Sequence, residues 1–273
     1  MPVGASAPFT CDHSRLVSGL FISDPWFYVL AVPVVLLFGI SKGGFGGVAG
    51  MVGVPFLSFV MPLPKAAAIL LPILCVMDLF AIRVYRGQYS APNLRILMPA
   101  GVVGVVAGAL AFGALDERWL RVIVGAIAVA FALHWVLGLA LLRGRDPEAK
   151  SHGVLSGAFW GVVGGFTSTL AHAGAPPVAV YLLPQRLPPT IFVGTTVIVF
   201  MMYNYLKLIP YAWLGQLSAD NLATSVLLLP LAPIGIKLGR WLRDKVNDVL
   251  FYRIVYGLLL ITGLKLVSEG FGL

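Results

Sequence analysis

Charge is what this chain has least of. Only 11% of its 273 residues are Asp, Glu, Lys or Arg, against about 25% in an average soluble domain, while 59% are hydrophobic and the mean hydropathy is +0.94. That composition excludes a soluble globular fold and points to an integral membrane protein. Cysteine is nearly absent too: Cys11 sits in the N-terminal region and Cys75 in an apolar run, a setting that argues against a disulfide and still more against a metal site. No Ser/His/Asp set, H-E-x-x-H pattern or paired catalytic carboxylate stands out, so no enzyme activity, metal or cofactor is expected. The formal charge of +8 comes from Lys and Arg spread over short loops and segment ends. Without a basic stripe, nucleic acid is not an expected partner, and the charges read as a topology signal. Residues 1–25 lack a strong positive cluster ahead of an apolar core and cleavage site, so they read as a tail and the first apolar run as retained.

Long apolar runs are present in abundance. Trp26–Ile40 and Val48–Met61 are short of the ~20 residues a helix needs to span a bilayer, and Pro62 and Pro64 end the second of them. Ala66–Tyr85, Leu94–Leu115 and Trp119–Leu142 are longer. After a polar linker the order repeats: Gly153–Phe166 and Gly174–Leu183 are short, while Thr190–Trp213, Leu222–Trp241 and Val249–Val267 are long. Particular residues repeat as well. Gly43, Gly44, Phe45, Gly53 and Pro55 recur 121 positions later as Gly164, Gly165, Phe166, Gly174 and Pro176. The stretch G-Q-Y-S-A-P-N-L from Gly87 matches G-Q-L-S-A-D-N-L from Gly215 at six of eight positions, and Pro99, Gly104 and Gly108 match Pro230, Gly235 and Gly239.

The basic loops change places between the halves. Arg83, Arg86 and Arg95 follow the third run of the first half, whereas Lys237, Arg240, Arg243, Lys245 and Arg253 lie around the fourth-to-fifth connection of the second, whose third run is followed by Lys207 alone. Because cytoplasmic loops carry the excess of Lys and Arg, the swap is the signature of two halves inserted in opposite directions. The expected fold is therefore an all-α integral membrane protein of two inverted-topology repeats, each of about five membrane segments with the first two short, broken or re-entrant. The divisions are a tail at 1–25, a first repeat at 26–142, a cytoplasmic linker at 143–152 and a second repeat at 153–268. Both termini would be periplasmic. Ten crossings, or six crossings and two re-entrant hairpins, preserve the same loop sides.

Two glycine-rich breaks at matching places point to a substrate site at mid-membrane, since unwound backbone is tolerated there only inside protein or along a watery cavity. Helices that begin after such breaks aim amides and the positive end of their dipoles at the gap, which suits an anion. The candidate binding residues are Ser41, Lys42, Gly43, Gly44, Phe45, Gly46 and Gly47 in the first half. In the second they are Gly164, Gly165, Phe166, Thr167, Ser168, Thr169 and His172. Lys42 supplies a full charge there or snorkels to the interface; the hydroxyls bind an anion or bond between helices; His172 donates to a ligand, carries a proton or packs. Asp78, costly inside an apolar run, marks either a salt bridge to Lys42 or Arg83 or a proton path, and Asn204 is its rough counterpart, so both are coupling candidates. Gly101, Gly104, Gly108, Gly235 and Gly239 read as close helix packing.

The motif G-I-S-K-G-G-F-G-G-V-A-G, its second copy G-G-F-T-S-T-L with G-A-P-P, and the two G-Q stretches resemble the sulfite exporter TauE/SafE family, also called the 4-toluene sulfonate uptake permease family, over residues 27–268. The resemblance implies a multi-pass transporter of the bacterial inner membrane. It would carry small sulfur-containing anions such as sulfite, sulfoacetate or related sulfonates, by export and with protons as a candidate coupling partner; an anion channel and an importer of sulfonate or carboxylate anions are the alternatives. The second half has Val163 where the first has Lys42, so the two halves are expected to differ in charge. The partners are then the anion and the lipid bilayer, with the oligomeric state left open, a homodimer included.

Overall fold

The computed structural model describes residues 22, 24–48, 50, 57, 60–61 and 63–111, scattered positions between 118 and 137, and residues 153–271. The linker, and most of the expected tail, second run and fifth run, lie outside these residues. All regular structure among the described residues is helical. In chain order the helices are α1 (Pro25–Gly44), α2 (Leu63–Val84), α3 (Ala91–Leu110), α4 (Val154–Ala171), α5 (Ala175–Leu182, running into a 3-10 turn at Leu183–Gln185), α6 (Pro189–Trp213), α7 (Ala219–Leu228), α8 (Leu231–Lys245) and α9 (Asp248–Phe271). Five of them, α1, α2, α3, α6 and α9, are long and apolar enough to cross a membrane; α7 and α8, which meet at 45°, qualify together as a sixth.

Three expectations are corrected. The first run of each half is longer than the sequence suggested: α1 has 20 residues and α4 has 18. Asp24 starts α1 by accepting from the Trp26 amide at 2.9 Å, with Pro25 in the first turn. Gly39, Gly43 and Gly44 then remain helical because each is pressed against α8. A methyl group on Gly39 would lie 2.7 Å from the Gly235 Cα, and one on Gly43 would lie 2.5 Å from the Ile236 carbonyl oxygen. Backbone-to-backbone packing thus offsets the ~1 kcal/mol that each glycine costs a helix. The third correction concerns Leu222–Trp241, which is not one helix but α7 and α8, bent where Pro230 withdraws a backbone donor. Its counterpart Pro99 lies within α3 without interrupting it. The second short segment of the second half is short indeed: the eight residues of α5 reach only ~12 Å at 1.5 Å per residue.

The two most extensive helix contacts each join one half of the chain to the other, α3 with α4 and α1 with α8. They are built alike. Gly104 faces the Val162 carbonyl and Gly108 the Phe166 carbonyl; Gly235 faces the Leu36 carbonyl and Gly239 the Ile40 carbonyl. The G-Q stretches are turns with the same geometry, Gly87 and Gly215 both adopting positive φ, at 75° and 68°. Ser90 and Ser218 then stand at the N-caps of α3 and α7.

Candidate functional site

The site lies where α1 and α4 end. At the end of α1 the Gly47 amide donates to the Ser41 carbonyl at 3.0 Å, with Gly46 left-handed at φ 67°. At the end of α4 the Ala173 amide donates to the Thr167 carbonyl at 3.2 Å, with His172 left-handed at φ 51°. Both are wide helix closures in which an amide donates to the carbonyl six residues earlier, past a left-handed residue, one residue longer than the usual six-to-one closure. They match at an offset of 126, not the 121 of the glycine motif, so Ser41 pairs with Thr167, Lys42 with Ser168 rather than Val163, and Gly46 with His172. Two tyrosines 126 apart complete the match: the Tyr85 hydroxyl donates to the Gly43 carbonyl at 2.6 Å and the Tyr211 hydroxyl to the Thr169 carbonyl at 3.4 Å. Each satisfies a last-turn carbonyl that would otherwise be unpaired in an apolar setting. Asp78 and Asn204 stand at the same offset. Helix closure, rather than glycine identity, fixes the correspondence.

Between these ends lies a cavity of about 40 Å³, lined by Phe38, Lys42, Gly47, Leu74, Ser168, His172, Gly174, Ala175, Phe200, Asn204 and Lys207. That is room for roughly three waters at ~10–15 Å³ each. Lys42 does not snorkel. It is 5% exposed, and its ammonium donates to Asp78 Oδ1 at 2.6 Å and to the Leu74 carbonyl at 3.4 Å. The other oxygen of Asp78 accepts from Asn204 Nδ2 at 2.8 Å, so the carboxylate is held from α1 and α6 at once.

The second cation was missed in the sequence. Lys207, read there as a loop charge, is fully buried in α6. Its ammonium meets the Ser168 carbonyl at 3.1 Å, the Ser168 Oγ at 3.1 Å and His172 Nδ1 at 2.9 Å. With Lys207 in its ammonium form, Nδ1 accepts from it and the imidazole hydrogen lies on Nε2, 3.4 Å from the Ala67 carbonyl. The signal for Lys207 was available: it lies inside an apolar run, three residues after Asn204, where the reasoning applied to Asp78 holds equally.

Of the expected binding residues, the cavity wall brings together Lys42, Gly47, Ser168 and His172. The rest stand outside it and hold the frame. Ser41 Oγ accepts from the Gly50 amide at 3.1 Å. Thr167 Oγ1 donates to the Val163 and Ala173 carbonyls at 2.8 and 3.0 Å, and Thr169 Oγ1 to the Gly165 carbonyl at 2.9 Å. Phe45 stacks on Phe251 with centroids 6.2 Å apart, and Gly46 abuts the Phe192 ring. Gly43 and Gly44 pack on α8, Gly165 and Phe166 on α3, and Gly164 on Val178. Nor is the start of α5 a rich amide cradle, because Pro176 and Pro177 in its first turn carry no N–H. Positive charge at the cavity comes from side chains instead. Among the described residues, no group of three or more His, Cys, Asp or Glu is placed to hold a metal ion.

These features define a multi-pass helical membrane protein with a small, charged cavity lined by residues of both halves. The family model of the sulfite exporter TauE/SafE proteins matches residues 31–266, and the chain belongs to that family. It is 26% identical over 175 residues to the "Probable inner membrane transporter protein TsaS" of Comamonas testosteroni, an alignment covering 63% of this chain and 70% of that protein. It is also 26% identical over 173 residues to the "Probable sulfite/organosulfonate exporter TauE" of Cupriavidus necator, covering 63% of this chain and 64% of the relative, a little under two thirds of its length. No solved structure matches the chain.

Proposed function

We propose that the protein is a secondary active transporter of small sulfur-containing anions, sulfite, sulfoacetate or related sulfonates, in the bacterial inner membrane. The observation that carries this is the cavity itself. It is walled by two buried lysines, Lys42 and Lys207, with Asp78 as the one carboxylate bonded to either of them among the described residues. Ionisable groups inside an apolar bundle mark a substrate or ion path, and this set has an excess of positive charge. The family description and the name of the Cupriavidus relative supply the sulfur oxyanion and the outward direction.

The reading includes two repeats of opposite topology, 26–142 and 153–268, which move against each other around the cavity to expose it to either side. What supports it is the doubled construction: matching helix closures and matching tyrosine donors, one of each within either half, and matching glycine contacts that join one half to the other. Both termini are then periplasmic. A proton accompanies the anion through Asp78, whose carboxylate Asn204 orients by a hydrogen bond, or through His172.

Counterflow in proteoliposomes tests this. Vesicles loaded with unlabelled sulfite or sulfoacetate are expected to accumulate external labelled anion transiently, and an imposed proton gradient is expected to drive uptake. Flux that only runs down its gradient, with no counterflow, would make the protein an anion channel. Faster inward than outward flux under the physiological gradient, in vesicles of known orientation, would make it an importer.

A further inference from the structure

The two halves of the cavity wall occupy equivalent positions and differ in charge. In the first half Lys42 faces Asp78, an ion pair at 2.6 Å. At the offset of 126 the same two positions hold Ser168 and Asn204, both neutral. The second half has instead gained Lys207, one turn further along α6 than Asn204, and His172 where the first half has Gly46. Lys207 has no carboxylate within ion-pairing distance among the described residues, and its three contacts are a carbonyl, a hydroxyl and a neutral imidazole nitrogen. Those contacts solvate an ammonium but do not neutralise it.

We infer that Lys207 sets the charge of the substrate, so that among the proposed anions the cavity accepts a monoanion, such as a simple sulfonate or hydrogen sulfite, in preference to a dianion such as sulfoacetate or sulfate. This deepens the anion-carrier reading and rests on it. With Lys42 cancelled by Asp78, one negative charge brings the buried set of Lys42, Asp78, Lys207 and ligand to neutrality. A second would leave a net negative charge among buried groups, where the Coulomb cost is larger than in bulk. His172 holds this arrangement. Its left-handed backbone, a conformation glycine adopts at no cost in the other half, places Nδ1 as an acceptor on Lys207.

The test is a series of tetrahedral sulfur compounds of near-equal size that differ by one charge at each step: dimethyl sulfone (neutral), methanesulfonate (one negative charge) and sulfate (two). Affinities are measured by titration calorimetry on the purified full chain at neutral pH. Methanesulfonate is expected to bind at least tenfold more tightly than either of the others. Lys207→Gln is expected to weaken methanesulfonate at least tenfold while leaving dimethyl sulfone within threefold; Lys207→Arg, which keeps the charge and covers the case of a poorly folded Gln variant, is expected to keep the order of the series. Sulfate binding as tightly as methanesulfonate would overturn the charge rule and leave the anion reading standing, as would an unchanged methanesulfonate affinity in a folded Lys207→Gln protein. Dimethyl sulfone binding better than both anions would overturn the two together.

Discussion

The ends of α1 and α4 do the same structural job with different chemistry. The first closes on glycines, Gly46 and Gly47, at positive φ, and its buried lysine is matched by a carboxylate. The second closes on His172, a residue that has to be held in that conformation, and its buried lysine is matched by neutral acceptors. Non-glycine residues in the left-handed region cost roughly 1 kcal/mol or more and persist where the surroundings over-determine them. The comparison therefore separates a stable, neutral half from a strained, charged one. Function is expected to reside in the difference.

The largest effect should come from breaking the ion pair. Asp78→Leu leaves Lys42 buried without its partner and should cost about 3–5 kcal/mol of stability, read as a large drop in melting temperature in detergent; Lys42→Met with Asp78→Leu should recover most of that while remaining inactive in proteoliposomes. Next in size is overpacking at the two matched helix contacts. Gly104→Leu and Gly235→Leu drive side chains into the Val162 and Leu36 carbonyls and should each cost about 1–3 kcal/mol. Similar costs at the two sites would sharpen the equivalence of the halves, and a large disparity would break it.

Lys207→Met should separate the two cations most clearly. It removes a charge with no carboxylate partner and leaves neutral acceptors behind, so its stability loss should be under about 2 kcal/mol, well below that of Asp78→Leu, yet transport should be lost. Thermal unfolding and anion counterflow on one preparation would check this. The smallest change is expected at His172. His172→Gly relieves the left-handed backbone and should be neutral to stabilising by up to about 1 kcal/mol, with anion binding nonetheless weakened. If His172→Gly bound anion as well as the parent, the imidazole would be only a helix cap.

Much of the architecture was legible in the sequence because hydropathy and turn chemistry are local. The repeated order of runs and the two G-Q turns could be read from residue type alone, whereas the ends of α1 and α4 and the bend between α7 and α8 could not. The position of Lys42 and Asp78 inside apolar runs could be read as well, but that Lys42 stays buried rather than snorkelling could not. Gly43, Gly44, Gly164 and Gly165 misled, because a glycine that breaks an isolated helix and one that lets two helices touch look the same in sequence. Thr167 and Thr169 misled for a related reason: a hydroxyl near a break can face a ligand or hold the backbone, and the carbonyls within reach decide which.

By itself, then, the sequence determined that this chain enters a membrane, that it does so twice over in similar form, and that it carries charge where charge is costly. Only the tertiary structure decided which charges meet. Lys42 and Asp78 are 36 residues apart, and Lys207 reaches His172 across 35; each pairing joins two helices of one half, α1 with α2 and α4 with α6, while α1 and α4 are also packed against helices of the opposite half. That packing is set by glycine-to-backbone contacts between distant segments, which no local pattern encodes, and together these contacts leave one lysine neutralised and the other facing the cavity uncompensated.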